Sequence, residues 1–287
     1  MQTKIEGIVL SKSLFKERNL IAHILLRNGE KCPVLFYGGA GGGAKKKSSL
    51  VEVGHLLKIE LRPSQNSKGE SALATAKEWS LVWSAERIRY SYPSFVLSCF
   101  YLEVCQKISP ELSSFHHLLN NSSGEGTFRV LSNALFFLNG DLSDGQIPFS
   151  DLHLALFLAK VLAEMGLYPA YRECLFCASS FFESGPLGDK LNLCPSGMLY
   201  LDKGGISCAD CDSGIADSGG RVHWPKFFYQ IWHQKYPELL KKFKQEINTG
   251  ENEFKLISQI LIKYFKFHTQ VDGPSFLALQ QEEFQAQ

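Results

Sequence analysis

No run of this sequence is apolar enough to cross a membrane. The most apolar segment, residues 152–167, is broken by His153, Lys160 and Glu164, so it reads as an inner helix of a folded body. The N-terminus scatters Lys4, Glu6, Lys12, Lys16, Glu17 and Arg18 among its hydrophobes, which is not the pattern of a secretory leader. Catalytic constellations are missing too. There is no His-x-x-x-His helix of the zinc-protease type, and no His-x-Glu ahead of a Pro-Cys-x-x-Cys as in nucleobase deaminases. No carboxylate, His or Ser grouping suggests another chemistry, and no internal repeat appears.

A phosphate loop is also absent, although one stretch invites the comparison. Residues 38–49 read Gly-Gly-Ala-Gly-Gly-Gly-Ala-Lys-Lys-Lys-Ser-Ser. In a phosphate loop the lysine directly follows the second glycine of Gly-x-x-x-x-Gly, Ser or Thr comes next, and a helix opens there. Here Ala44 follows Gly43, Ser48 comes only after three lysines, and the residues beyond Ser49 soon turn to strand. Nucleotide hydrolysis is therefore not expected.

What the chain does have is two Cys-x-x-Cys pairs, Cys174 with Cys177 and Cys208 with Cys211. Each turn presents two thiolates, and two such turns complete a tetrahedral site for a structural Zn2+. The thirty residues between them carry Gly185, Pro186, Gly188, Pro195, Gly197, Gly204 and Gly205. That composition predicts a loop with neither helix nor sheet, held by the metal. A redox Cys-x-x-Cys would follow a strand and open a helix, whereas Cys174 follows the helix-ending Gly166-Leu167-Tyr168-Pro169. Cys194 reads as a spare thiol, or as a replacement ligand if one of the four lies too far away. His223 is a weaker reserve. Cys32, Cys99 and Cys105 sit in apolar segments and read as small buried hydrophobes. Paired cysteines of this spacing fit a reducing, cytoplasmic setting.

The 287 residues suffice for about two domains. The net charge of +1 conceals an imbalance: residues 1–80 hold thirteen Lys and Arg against seven Asp and Glu, leaving −5 for the remainder. A basic N-terminal module suits a polyanion.

Five strands are predicted in that module, at 4–12, 20–27, 32–37, 57–61 and 72–79. Leu57, Ile59 and Leu61 alternate with Lys58 and Glu60. Turns fall at Asn28-Gly29, in the glycine loop and at 63–69. Five strands in so short a module suggest a small closed barrel of the OB type. After Trp83 the period becomes helical: Val96, Leu97, Phe100, Tyr101, Val104 and Ile108, stopped by Pro110, then a helix at 128–138 closed by Asn139-Gly140. Another runs from Ser150 through Leu154, Phe157, Leu158, Val161, Leu162 and Met165 to Gly166 as its C′ residue. Further helices are predicted at 227–232, 237–247 and 253–267.

On the barrel, Lys45, Lys46 and Lys47 suit irregular phosphates, since lysine acts as a point charge on a flexible tether. Lys12, Lys16 and Arg18, placed between the first two strands, extend the track. Phe15 and Tyr37 are candidates for base stacking, and Phe36 reads as core. The alternative for the lysine loop is a solvated tip without a ligand.

Assembled in this order, the chain resembles the bacterial RecO family of DNA repair proteins over nearly its whole length. The resemblance is carried by Glu6-Gly7-Ile8-Val9-Leu10, Glu17-Arg18-Asn19-Leu20, Gly43-Ala44-Lys45-Lys46-Lys47-Ser48-Ser49, Met165-Gly166-Leu167-Tyr168-Pro169 leading to Cys174-Leu175-Phe176-Cys177, and Gly204-Gly205-Ile206-Ser207-Cys208-Ala209-Asp210-Cys211. The departures are a longer interval between the cysteine pairs, the extra Cys194, and a basic loop richer in glycine and poorer in arginine. The resemblance implies an α+β chain: an OB-fold at 1–82, a helical domain at 83–170 and 216–287, and a zinc-binding insertion at 171–215. It also implies a non-enzymatic recombination mediator. Such proteins bind and anneal single- and double-stranded DNA and, with RecR, help load RecA onto gaps covered by single-strand-binding protein. Two other classes remain: a different zinc-bearing nucleic-acid module, for RNA or transcription, and a zinc- or thiol-dependent enzyme.

Overall fold

A computed structural model describes residues 3–39, 50–62, 73–112, 125–142, 150–185, 188–191, 197–211, 224–246 and 251–285. The chain divides into two compact units, Met1–Pro148 with Gly273–Gln287, and Phe149–Asp272.

The first unit is built on a closed barrel. Its strands are β1 (Thr3–Phe15), β2 (Asn19–Leu26), β3 (Lys31–Phe36), β4 (Leu56–Leu61) and β5 (Ala74–Trp83), joined in the order β1-β2-β3-β5-β4. All pairs are antiparallel except β3 with β5. This is an OB-type barrel, as the strand count and alternation predicted. Closure depends on β1, which pairs with β4 through Thr3–Ile8 and with β2 through Gly7–Phe15, with a register shift between Val9 and Ser11. Gly7 sits where both partners meet, and a Cβ there would lie 2.5 Å from the Leu25 carbonyl oxygen. Only glycine lets the strands approach this closely. The Asn28-Gly29 turn forms as expected: Gly29 takes φ +84°, and the Leu26 N–H donates to Glu30 O at 2.8 Å.

The barrel is filled by alternate residues of each strand, including Val9, Ile24, Val34, Phe36, Leu57, Ile59 and Leu61. Phe36 meets Trp79 edge to face at 5.2 Å, confirming it as core. β1 and β5 each run further than the sequence suggested, to Phe15 and Trp83.

Helix α1 (Tyr92–Ile108) buries Val96, Leu97, Phe100, Tyr101 and Val104, and ends before Pro110. Helix α2 (Gly126–Asp141) continues past Asn139-Gly140, so that dipeptide is not its stop. Helix α7 (Pro274–Gln285) had no counterpart in the sequence reading. It packs on α1 through Phe100 and Phe276 at 4.7 Å, while Ser275 donates its backbone N–H to Glu103 at 3.0 Å. Burial works to raise the Glu103 pKa, but the bonds from Ser275 and Lys107 outweigh it and hold the carboxylate below its usual range.

The second unit contains α3 (Ser150–Glu164), α4 (Trp224–His233), α5 (Tyr236–Glu246), α6 (Glu251–Thr269) and two hairpins, β6 (Phe182–Gly185) with β7 (Gly188–Leu191) and β8 (Gly197–Tyr200) with β9 (Gly205–Cys208). The hairpins correct the expectation that residues 178–207 form no sheet: Gly197 sits at a close approach between β8 and β9, where a Cβ would collide with Ser207 O, and Gly204 takes φ +63° in the turn between them. At Gly205 a Cβ would lie 2.6 Å from Leu175 Cδ2. Helix α3 ends as predicted, with Gly166 at φ +70° and its bonded turn closed by the Leu167 N–H on Leu162 O at 2.9 Å. Met165 lies exposed at that end rather than in the core. Lys160, inside this apolar helix, donates to the Ile231 and Gln234 carbonyls at the end of α4, where a cation complements the helix dipole. Among the described residues, no helix is long and apolar enough to cross a membrane.

Candidate functional site

The four predicted cysteines converge. Cys174, Cys177, Cys208 and Cys211 place their Sγ atoms within 4.8 Å of one another, and the Cys177–Cys208 pair stands at 3.7 Å. Sulfurs held tetrahedrally at about 2.3 Å from one ion lie about 3.8 Å apart, so the cage has the dimensions of a single four-coordinate site. Four soft thiolates suit zinc or iron rather than a hard cation. Cys194 and His223 lie outside the described residues.

Local backbone geometry builds the cage. In the first turn the Cys174 N–H donates to Ser179 O at 2.9 Å, the Ala178 N–H to Cys174 O at 3.0 Å, and Ala178 adopts φ +57°. This reverses the chain sharply and leaves Cys174 and Cys177 on one side. The turn docks on β9 through the Leu175 N–H to Ile206 O at 2.9 Å, and residue 170 adds a further bridge through the Ile206 N–H. The β8–β9 hairpin supplies Cys208 from its last residue. The backbone N–H groups of Phe176 and Cys208 point at the Cys174 sulfur, at 3.4 and 3.2 Å, an arrangement that stabilises a thiolate.

These contacts divide the four thiols. Burial pushes Cys174 up, but the surrounding N–H groups outweigh it and lower its pKa. Ser179, whose hydroxyl lies 2.6 Å from the Cys177 sulfur, brings Cys177 down to about 6. Cys208 is raised, first by burial, and Cys211 is pushed up to about 12, first by the neighbouring Cys208 sulfur. Four thiolates crowded together repel one another, and a cation relieves that repulsion. Ser179 was not singled out in the sequence; a serine two residues after a cysteine carries no signal of its own. Cys32 and Cys105 are buried as expected, with Cys32 pushed up to about 12 by desolvation, whereas Cys99 is half-buried.

The barrel residues fall into three groups. Lys12 lies inside β1, opposite Ala22, rather than between the strands, and its Nζ meets Glu52 at 2.5 Å. Phe15, Lys16, Arg18 and Tyr37 gather at one end. Phe15 pairs with Asn19 across the β1–β2 turn, and Asn19 Oδ1 accepts the Gly38 N–H at 3.0 Å, beside Tyr37. Lys45, Lys46 and Lys47 lie outside the described residues.

Charge on the barrel is not evenly available. Arg27 is paired with Glu6 at 2.8 Å, Lys77 with Glu60 at 2.6 Å and Lys31 with Glu111 at 3.3 Å. Lys16, Arg18 and Arg62 make no ion pair among the described residues. The uncompensated cations thus collect at the end bearing Phe15 and Tyr37. Arg62 was missed by the sequence reading, because nothing in its neighbours marks it as unpaired.

Fold and site define a class: an OB-type barrel with a helical body and a four-cysteine cage. Among proteins of known name, the chain is similar to the DNA repair protein RecO of Bacillus velezensis, with 28% identity over 179 residues, 62% of this chain and 62% of that protein. The match therefore spans less than two thirds of that relative's length. No family model matches the chain. Among solved structures, the S. pombe Stn1–Ten1 complex gives a TM-score of 0.23 at 12% identity, covering 30% of this chain and 60% of that one. A superposition at that level carries no argument, and the barrel assignment rests on its strand order.

Proposed function

We propose that this chain is a RecO-type recombination mediator acting in DNA repair. On this reading it binds and anneals single-stranded DNA, also holds duplex, and with RecR assists RecA loading on gaps covered by single-strand-binding protein. One observation carries the proposal: uncompensated cations, the exposed Tyr37 and the half-buried Phe15 occupy the same end of an OB-type barrel, in a chain similar to a protein named RecO. Charge neutralisation on two backbones lowers their mutual repulsion, so complementary strands meet without any bond being made or broken. The protein is accordingly read as a non-enzyme of the cytoplasm. The four-cysteine cage would hold Zn2+ through Cys174, Cys177, Cys208 and Cys211. There the ion would fix the two turns against each other and leave no open position for catalysis.

Titration against single-stranded oligonucleotides at two salt concentrations tests the reading. If about five phosphates are neutralised, log K should fall with log salt at a slope near about −3.5, from about −0.7 per phosphate. Binding that ignores salt, or a preference for RNA in direct competition, would favour another nucleic-acid module.

A further inference from the structure

Two cation–aromatic pairs stand side by side at the end of the barrel. Lys16 Nζ lies 5.5 Å from the Phe15 ring centre, and the Arg62 guanidinium lies 5.6 Å from that of Tyr37. The two pairs come from different strands, the first from the end of β1, the second from the ends of β3 and β4. A single bond ties them together: Asn19, opposite Phe15, accepts the N–H of Gly38, which follows Tyr37. The Arg62 N–H in turn donates to Thr75 O at 2.8 Å, which anchors its backbone to β5.

Strand alternation turns Tyr37 outward where its neighbour Phe36 points into the barrel, and no packing covers it: Tyr37 is 52% exposed, while Phe15 is half-buried. Lys16 takes φ +55°, a left-handed conformation that is strained for a side-chain-bearing residue and that glycine adopts freely. Placing a lysine there maintains a charge over Phe15 against that strain. Arg62 and Lys16 have no carboxylate to answer them among the described residues, unlike Lys12, Arg27, Lys31 and Lys77 elsewhere on the barrel.

We infer that Phe15 with Lys16 and Tyr37 with Arg62 form a subsite for two unpaired nucleotides, and that it is this subsite which tells single strands from duplex. The inference rests on the DNA-binding reading and specifies where a strand is read. Each aromatic ring offers a face to one base, and the cation beside it serves a phosphate of the same strand. Bases in a duplex are already stacked and paired, so their faces are closed to both rings, while their phosphates remain open to the cations. The rings therefore act on single strands alone, and the cations act on both.

The test measures binding to oligothymidine, to the same oligomer with abasic sites, and to a blunt duplex, using wild type, Tyr37→Leu, Tyr37→Phe and Arg62→Gln. Stacking contributes about 1–3 kcal/mol per base, so Tyr37→Leu should weaken oligothymidine binding by about five- to 150-fold. Its duplex binding should change by less than about two-fold, and Tyr37→Phe, which keeps the ring, should match wild type. On the abasic oligomer, wild type and Tyr37→Leu should bind alike. Arg62→Gln should weaken single strand and duplex together and reduce the single-strand salt slope by about 0.7. Equal loss on single strand and duplex with Tyr37→Leu, or no loss on either, overturns the subsite. A wild-type protein that binds no oligothymidine overturns the DNA-binding reading instead.

Discussion

Removing a metal held by Cys174, Cys177, Cys208 and Cys211 should loosen the cysteine turns and leave the barrel intact. The turns are stitched by few backbone bonds: Cys174 N–H to Ser179 O at 2.9 Å, Leu175 N–H to Ile206 O at 2.9 Å and Ile206 N–H to Ala170 O at 3.2 Å. An ion present at about a thousand times its dissociation constant stabilises the folded site by about 4.1 kcal/mol. Since 1.4 kcal/mol is a factor of ten, chelation should raise local opening by about a thousandfold. Hydrogen exchange is the direct assay. With chelator, the amides of Cys174, Leu175 and Ile206 should lose about three decades of protection, while the Val9 amide, bonded to His55 O in the barrel, should not change. Cys208→Ser should reproduce the chelated pattern, because it removes one of the four thiolates of the cage, the one whose sulfur lies 3.7 Å from that of Cys177. Full metal retention in Cys208→Ser, or unchanged exchange at these amides on chelation, would refute the reasoning.

Replacing Lys45, Lys46 and Lys47 together with Ala should weaken single-strand binding and reduce its salt slope by up to about two units; an unchanged slope would make the loop a solvated tip. Lys12→Ala should cost less affinity than Lys16→Ala in the same titration, because Glu52 already answers Lys12. Gly7→Ala should destabilise the barrel by about 1–3 kcal/mol in urea unfolding, the usual cost of forcing atoms into a filled space. His55 should make the barrel acid-sensitive. Burial first, and Arg89 beside it at 3.2 Å, lower its pKa, although the bond to Leu50 O and the nearby Glu52 oppose the shift. The unfolded chain then takes up a proton near pH 6.5 that the folded barrel resists, so His55 contributes stability above about pH 6.5 that is lost as pH falls toward its lowered folded pKa. His55→Asn should flatten the pH dependence of urea unfolding across that window; the same slope in both proteins would contradict this.

Periodicity made the barrel and the main helices readable. Leu57, Ile59 and Leu61 face inward as their alternation requires, and Gly166 ends α3 in the left-handed conformation its position suggested. The cysteine cage was equally legible, since Cys-x-x-Cys spacing constrains two ligands before any fold is known. Other features carry no such local mark. The β6–β7 and β8–β9 hairpins are short and glycine-containing, so composition read them as loop. Helix α7 has a polar second half, Gln280-Gln281-Glu282-Glu283, and is positioned by Glu103, whose relation to Ser275 spans 172 positions. Charge pairing depends on residues far apart in sequence: only the folded barrel shows that Glu52 answers Lys12 while Arg62 stands over Tyr37.

The mediator reading is tested most directly by strand annealing. Complementary single strands carrying a fluorophore and a quencher are mixed with the metal-loaded protein, without nucleotide or magnesium, and the rate of quenching is followed at rising salt. The protein should accelerate annealing, the acceleration should fall as salt screens the phosphates, and adding ATP should change nothing. Annealing no faster than in buffer, or acceleration that requires ATP, would contradict the assignment.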